Sequence, residues 1–334
     1  MRAPAFWARP EPGLAAKLLS PLGRLYGAAT ARAMAERGLS VGVPVLTVGN
    51  FVAGGAGKTP AAIALARLLS LNGERPAFIS RGHGGGLAAE AVEVRDQPAR
   101  LVGDEPLLLA RVAPTFVSPV RVRAAHLALK TARPSVLISD DGLQSRAVEP
   151  TLAMSVVDGR TGVGNGLCVP AGPLRAPLDV QIRHTDALIL VGSGAAGEAV
   201  AGRVEAADKP CFYADFEAEP EARALAGRKV VAFAGIARPE KFFTTLALLG
   251  ARLVLTRAFP DHHFYRPREI ARLRARADAL DAVLVTTEKD AVRLPPPKGT
   301  DAPPRAIAVR LAFHDEASLR DHLAGVLRRA RSGL

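Results

Sequence analysis

"VGNFVAGGAGKTPAAIALARLL", residues 48–69, opens as an apolar run, breaks into glycines and resumes as an Ala- and Leu-rich helical pattern. A strand, a glycine turn and a helix in that order aim backbone N–H groups at an anion held at the positive end of the helix. Gly54, Gly55, Ala56 and Gly57 would form the cradle. Lys58 would reach terminal phosphates, and the Thr59 hydroxyl would ligate Mg2+. Pro60 suits the first helical turn, where a missing N–H costs nothing. The stretch therefore predicts a phosphate-binding loop for a nucleotide and Mg2+. Its spacing departs from the usual pattern, which wants glycine where Val52 stands. The Lys-Gly-Gly-x-Gly-Lys-Thr variant would want lysine where Ala53 stands. A plain glycine-rich turn explains the glycines but neither the strand before nor the helix after. The loop does not choose among switches, motors and kinases.

Working outward, short apolar runs alternate with helical stretches: "RPAFISRG", "GDEPLLLARVA", "TFVSP", "RVRAAHLALKTA", "PSVLISDDG", "LAMSVVDG" and "TDALILVG". Continuous apolar strands separated by helices imply βαβ units. The expected class is α/β: a P-loop NTPase-like, mostly parallel sheet with helices on both faces, plus a second, smaller α/β domain. The composition shifts to Ala, Gly, Glu and Pro around 195–228, and the rhythm resumes with "RKVVAFAGI". The spacing predicts a P-loop domain over 39–205, a linker over 206–228 and the smaller domain over 229–334. Residues 294–304, "LPPPKGTDAPP", read as a surface loop.

With 334 residues the chain exceeds the ~250–300 at which single cores stop growing. Its 44 Lys+Arg against 32 Asp+Glu leave a net charge of +12, suited to an anionic partner. An aromatic content of 5% argues against a strand-stacking nucleic-acid binder. Two cysteines, Cys168 and Cys211, lie far apart and predict neither a disulfide framework nor a metal site. No apolar run reaches the ~18 residues of a membrane span. Residues 1–38 interleave Phe6, Trp7, Leu14, Leu18, Leu19, Leu22, Leu25 and Tyr26 with Arg2, Arg9, Lys17, Arg24 and Arg32. Such a segment can lie in an anionic headgroup layer or pack on the protein's own core.

A nucleotide site needs a metal-side acid. Asp140 and Asp141 end an apolar strand, where an Asp-Gly turn is the competing explanation. Only one of two adjacent acids can face the metal. Asp104 and Glu105 start a helix, where acids also simply complement the dipole. "SRGHGGG", 80–86, is a second glycine turn carrying Arg81 and His83; "PAGPLRAP" holds Arg175 between prolines. "FPDHHFY" sets Asp261, His262 and His263 between aromatics, a weak metal pattern but usable for proton transfer. "VTTEKDAVRL" puts Glu288, Lys289 and Asp290 at a strand end, where ligand sites collect and where a capping turn fits as well.

Taken together, "VGNFVAGGAGKTP", "SRGHGG", "GDEPLLLA", "VSPVR", "DDGLQ", "GNGLCVPAGPLR", "FAGIARPEKFF", "DHHFY" and "TTEKDAVRL", in that order, resemble the tetraacyldisaccharide 4'-kinase family of lipid A biosynthesis over about residues 40–295. The resemblance implies transfer of the γ-phosphate of ATP to the 4'-hydroxyl of tetraacyldisaccharide 1-phosphate, giving lipid IVA. It implies a lipid substrate, peripheral contact with an anionic membrane through residues 1–38, and the cytoplasmic face of the bacterial inner membrane. No nucleic acid or obligatory protein partner is implied. Carried over by motif, Lys58 and Thr59 are the phosphate and magnesium residues, Asp104 the base and His262 its partner. Glu105, Asp140 and Asp141 match metal-side acids; Arg121 and Arg175 match basic residues near the transferring phosphate or the substrate. His83 stands where tyrosine is common, Ser145 where histidine is common, and Ala56 where threonine is common, which bears on substrate fit. The competing readings are a kinase of another hydroxylated small molecule and a membrane-associated P-loop ATPase or GTPase switch. Only a kinase needs a base and an acceptor cleft.

Overall fold

A computed structural model describes residues 4–55, 57–88, 90–296 and 302–333. Thirteen strands are assigned among them: β1 (Val45–Asn50), β2 (Pro76–Ser80), β3 (Val92–Glu93), β4 (Thr115–Val117), β5 (Val136–Asp140), β6 (Leu152–Asp158), β7 (Ala187–Val191), β8 (Cys211–Ala218), β9 (Lys229–Ala234), β10 (Arg252–Ala258), β11 (Val283–Thr287), β12 (Arg305–Ile307) and β13 (Val309–Phe313). The helices are α1 (Leu14–Ala35), α2 (Lys58–Leu71), α3 (Ala99–Val102), α4 (Asp104–Leu109), α5 (Arg121–Thr131), α6 (Leu178–Arg183), α7 (Ala195–Glu205), α8 (Pro239–Leu248), α9 (Pro267–Ala279), α10 (Glu288–Ala291) and α11 (Glu316–Ser332). A nine-stranded sheet runs β13-β8-β7-β6-β1-β5-β2-β4-β3, and a four-stranded one β10-β9-β11-β12.

The central strands β1, β2, β5 and β7 are buried along their whole length, as two-sided coverage by helices requires. On one face α2 lays Ala61, Ala62, Leu65, Ala66 and Leu69 against the sheet. All strand pairings in the large sheet are parallel except β3–β4 and β8–β13. The mostly parallel α/β class expected from the sequence is what the chain adopts.

The partition differs from the sequence reading in two places. Residues 206–228, expected as a linker, contain β8, which pairs with β7 in the large sheet. The segment 309–332, expected in the smaller domain, returns to the large one: β13 pairs with β8, and Leu319, Leu323 and Leu327 of α11 complete the core around α2. The smaller lobe, 219–308, is thus an insertion between the two strands of an edge ribbon. Its two connections are tied where Glu219 N–H donates to the Ala308 carbonyl, 3.1 Å. Local periodicity identified the strands, but antiparallel pairing between segments some ninety residues apart leaves no local mark. Part of the 294–304 loop lies outside the described residues.

The N-terminal segment packs in two ways at once. Ala16, Gly23, Gly27 and Met34 of α1 face inward, while Leu14, Leu18, Leu22, Leu25 and Tyr26 are exposed, Leu14 and Leu18 by 82% and 80%. No helix among the described residues is long and apolar enough to cross a membrane. Gly23 and Gly27 let α1 approach the loop 165–177 closely: a Cβ at Gly27 would sit 2.8 Å from Cys168 Sγ, and one at Gly23 2.7 Å from the Cys168 carbonyl. Trp7 Nε1 adds a hydrogen bond to the Pro170 carbonyl, 3.0 Å.

Candidate active site

The glycine loop leaves the C-terminal end of β1 and enters α2 through Gly57, whose φ of +95° only glycine adopts without strain. Gly54 is also left-handed, at +123°. Ala56, counted in the cradle, lies outside the described residues. Gly55 lies in the turn, Thr59 is buried in the first turn of α2 and Pro60 follows it. Lys58 Nζ folds back onto Asn50 Oδ1 at 3.3 Å and the Gly54 carbonyl at 3.4 Å, with Asp141 Oδ1 at 3.7 Å. Buried Asn50, at the end of β1, also donates to the Gly54 carbonyl, 3.1 Å. It holds both the lysine and the loop, a part the sequence reading missed.

The loop 165–177 braces the phosphate loop from outside. Ala53 N–H donates to the Pro173 carbonyl at 2.7 Å and Arg175 N–H to Phe51 at 2.9 Å. Arg175 Nη1 lies 3.1 Å from both Asp141 carboxylate oxygens, and its Nε donates to the Val52 carbonyl, 3.1 Å. Asp141 is thus held by Arg175 and Lys58, and its left-handed φ of +54° turns it toward them. Burial would raise its pKa, but Lys58, Arg175 and Arg121 outweigh that and lower it. Asp140 stands apart: its Oδ1 is buried without a hydrogen-bond partner. Burial, with Glu105 and Asp141 nearby, pushes its carboxyl up to about 7. Arg121, expected beside the transferring phosphate or the substrate, is buried and spends its fork on Ser145 Oγ and the Asp140 and Asp141 carbonyls. It holds the turn that presents the two acids.

Asp104 begins α4, and the second glycine turn places it there. A Cβ at Gly82 would meet the Val102 carbonyl at 2.9 Å, one at Gly85 the Leu101 carbonyl at 2.4 Å, and one at Gly103 the His83 carbonyl at 2.7 Å. Gly82 and Gly85 of "SRGHGGG" therefore let backbone approach backbone, whereas a Cβ at Gly84 would meet nothing within 4 Å. Across the cleft, His262 Nδ1 lies 3.1 Å from Asp104 Oδ2, with Arg293 Nε at 3.6 Å. Burial alone would raise the Asp104 carboxyl; the His262 hydrogen bond and charge, with Lys289 and Arg293, hold it down at about 2. The same bond raises the His262 pKa above its ordinary value.

The signature at 286–290 acquires distinct parts. Lys289 Nζ crosses the cleft to Glu105 Oε1, 3.1 Å, and Glu288 meets Arg111, 3.2 Å. Buried Asp290 stays within its lobe, accepting from Tyr265 Oη at 2.7 Å and Gly235 N–H at 2.9 Å. Gly235 accepts the His262 N–H, 3.0 Å, so Asp290 anchors the turn that carries the histidine. His263 turns the other way, to Glu269 Oε2 at 3.1 Å and a stack on Phe259. The two histidine rings meet different carboxylates, and among the described residues no group of three or more His, Cys, Asp or Glu converges as a metal cage.

Comparison with known proteins identifies the family. Residues 15–328 match the family described as tetraacyldisaccharide-1-P 4'-kinase (LpxK). The tetraacyldisaccharide 4'-kinase of Methylobacterium radiotolerans is 52% identical, covering 98% of this chain and 99% of its own. That of Bradyrhizobium sp. BTAi1 is 51% identical, covering 99% and 97%. Among solved structures, LpxK of Aquifex aeolicus in complex with ATP superposes with a TM-score of 0.73 at 26% identity, covering 93% of this chain and 99% of that one.

Proposed function

Because the chain belongs to the tetraacyldisaccharide-1-P 4'-kinase family, we propose that its cleft moves the γ-phosphate of ATP to the 4'-hydroxyl of tetraacyldisaccharide 1-phosphate, forming lipid IVA, with the residues in the parts below. The observation that carries the assignment is the Asp104–His262 hydrogen bond between lobes, on the same edge of the sheet as the phosphate loop. A nucleotide switch needs no such base.

The loop amides and Lys58 bind the phosphates, as phosphoryl transfer demands positioning and charge neutralisation more than covalent chemistry. Arg175, already fixed by the braced loop, faces the same anion. Asp104 receives the proton of the sugar hydroxyl. At a pKa of about 2 a carboxylate alone is a poor base, so the proton is better housed by the pair, on His262, whose raised pKa lets it keep the charge. The residues fit a magnesium ion: Asp140 offers a buried oxygen without a partner, Thr59 lies buried at the start of α2, and Glu105 stands near enough to raise the Asp140 pKa. Mg2+ keeps waters and substrate phosphates in its shell, so one or two carboxylates suffice. Bound there, the ion would neutralise charge on the β- and γ-phosphate oxygens. Asp141, engaged by Arg175 and Lys58, orients those cations instead of holding the metal.

The lipid acceptor implies a membrane-side approach. The exposed Leu14, Leu18, Leu22 and Leu25 fall on one helical face, flanked by Lys17 and Arg24, as in a helix lying in an anionic headgroup layer. This supports peripheral attachment at the cytoplasmic face of the inner membrane.

Radiolabelled ATP with a tetraacyldisaccharide 1-phosphate acceptor tests the reading. Label should pass to the lipid, and Asp104→Asn should lower transfer by about 100-fold or more while ATP still binds. Release of free phosphate alone, or unchanged turnover in the variant, would overturn it.

A further inference from the structure

Residues 233–243, "FAGIARPEKFF", contain two cations for which the mechanism above has no use. Asp158 ends β6, the strand on the opposite side of β1 from β5. Since Asn50 pairs with Val156, Asp158 lies two residues further along the C-terminal edge, level with Val52 where the phosphate loop begins. Its Oδ1 accepts from Thr161 N–H at 3.1 Å and Thr161 Oγ1 at 3.2 Å. Its Oδ2 takes Arg238 Nη2 and Lys241 Nζ together, each at 3.2 Å. Both come from the smaller lobe, at the start of α8, and both remain about half exposed, at 43% and 49%. Burial would raise the Asp158 pKa, but Lys241 and Arg238 outweigh it, so the carboxylate is ionised. One carboxylate facing two cations leaves a positive charge over, beside the nucleotide loop and across from the Asp104 flank.

We propose that Arg238 and Lys241 bind the polyphosphate of ATP from the smaller lobe, with Asp158 as their counter-ion until nucleotide arrives. This deepens the kinase reading and rests on it. Guanidinium and ammonium groups exchange carboxylate for phosphate readily, because both anions offer charged oxygens at hydrogen-bond distance. Lys58 and Arg175 share Asp141, so the loop's own cations are partly neutralised and a triphosphate gains from two more. The other anion of the reaction, the 1-phosphate of the lipid, sits at the opposite end of the disaccharide from the 4'-hydroxyl; adjacency to the start of the phosphate loop is what favours ATP as the ligand.

The test measures ATP affinity by calorimetry and KM for ATP and lipid separately. The double variant Arg238→Ala/Lys241→Ala should weaken ATP by about tenfold or more, the effect of a lost charge-assisted contact, with KM for the lipid unmoved. Arg238→Lys/Lys241→Arg should restore most of it. Asp158→Asn keeps an oxygen for Thr161 but frees both cations, and should tighten ATP by about threefold. Unchanged ATP affinity in the double variant, a rise confined to the lipid KM, or weaker ATP binding in Asp158→Asn would overturn the proposal. Binding is read without turnover, so failure of the kinase reading shows separately, as absence of labelled lipid in the unsubstituted protein.

Discussion

His262 carries a left-handed backbone, φ +57°, which costs a non-glycine residue about 1 kcal/mol. Its N–H is held by the Gly235 carbonyl and by Asp261 Oδ1, 3.1 Å, which keep the strained turn in place and aim the ring at Asp104. Because the bond to Asp104 raises the His262 pKa, the histidine loses its proton only above its ordinary value near 6.5. The pair can accept the substrate's proton only when His262 is neutral. The transfer rate should therefore rise with pH through an apparent pKa above 6.5. His262→Gln should remove that limb and lower the rate by about 10- to 100-fold; a pH profile unchanged by the substitution would count against the pair. The pairing of these two side chains was legible only through the family resemblance, because the local pattern around Asp104 fits an acid complementing a helix dipole equally well. The crossing of Lys289 to Glu105, the clamp on Asp141 and the burial of Arg121 were not legible, since each depends on segments tens of residues away.

At the level of elements, α1 and α11 do opposite work. The outer face of α1 presents leucines that stay more than half exposed, from 56% at Leu22 to 82% at Leu14. Leu18→Asp/Leu22→Asp should cut sedimentation with anionic vesicles by more than about tenfold, given ~2 kcal/mol for each buried leucine. The fold should survive, because the inner face of glycines and alanine is untouched. Undiminished sedimentation would sink the membrane reading. Helix α11 instead covers α2: Leu323 is fully buried against it, and Leu323→Ala should cost about 3 kcal/mol in chemical denaturation. Arg331 on the same helix makes two hydrogen bonds to Glu74, at 2.9 and 2.6 Å, and these lower the Glu74 pKa. A lowered carboxyl adds stability above its ordinary pKa of 4.5 and loses it as pH falls through the folded value. Arg331 is half exposed, so the contribution is no more than about 1 kcal/mol. The sequence marks α11 as amphipathic but not which sheet it covers, because its leucine stripe would fit either.

Over the whole molecule, the two lobes meet through Asp104–His262, Glu105–Lys289, Arg111–Glu288 and Asp158 with Arg238 and Lys241. They are joined only by the two connections at 218–219 and 308–309, which can act as a hinge. ATP, by drawing cations of both lobes onto one anion, should close the cleft; small-angle scattering should show a smaller radius of gyration with Mg-ATP, and no change would argue against closure. The α/β class and the nucleotide loop were readable from strand and helix rhythm, whereas the lobe boundaries were not, because an inserted lobe interrupts a sheet without interrupting that rhythm. The insertion also bears on biogenesis. A nascent chain leaving the ribosome exposes the apolar back of its ATP-binding helix until residues 316–332 have been translated, some 250 positions after that helix itself. During that interval the half-made sheet also lacks its closing edge strand, so chaperone demand and premature-termination damage should concentrate in the large lobe, not in the late-made small one.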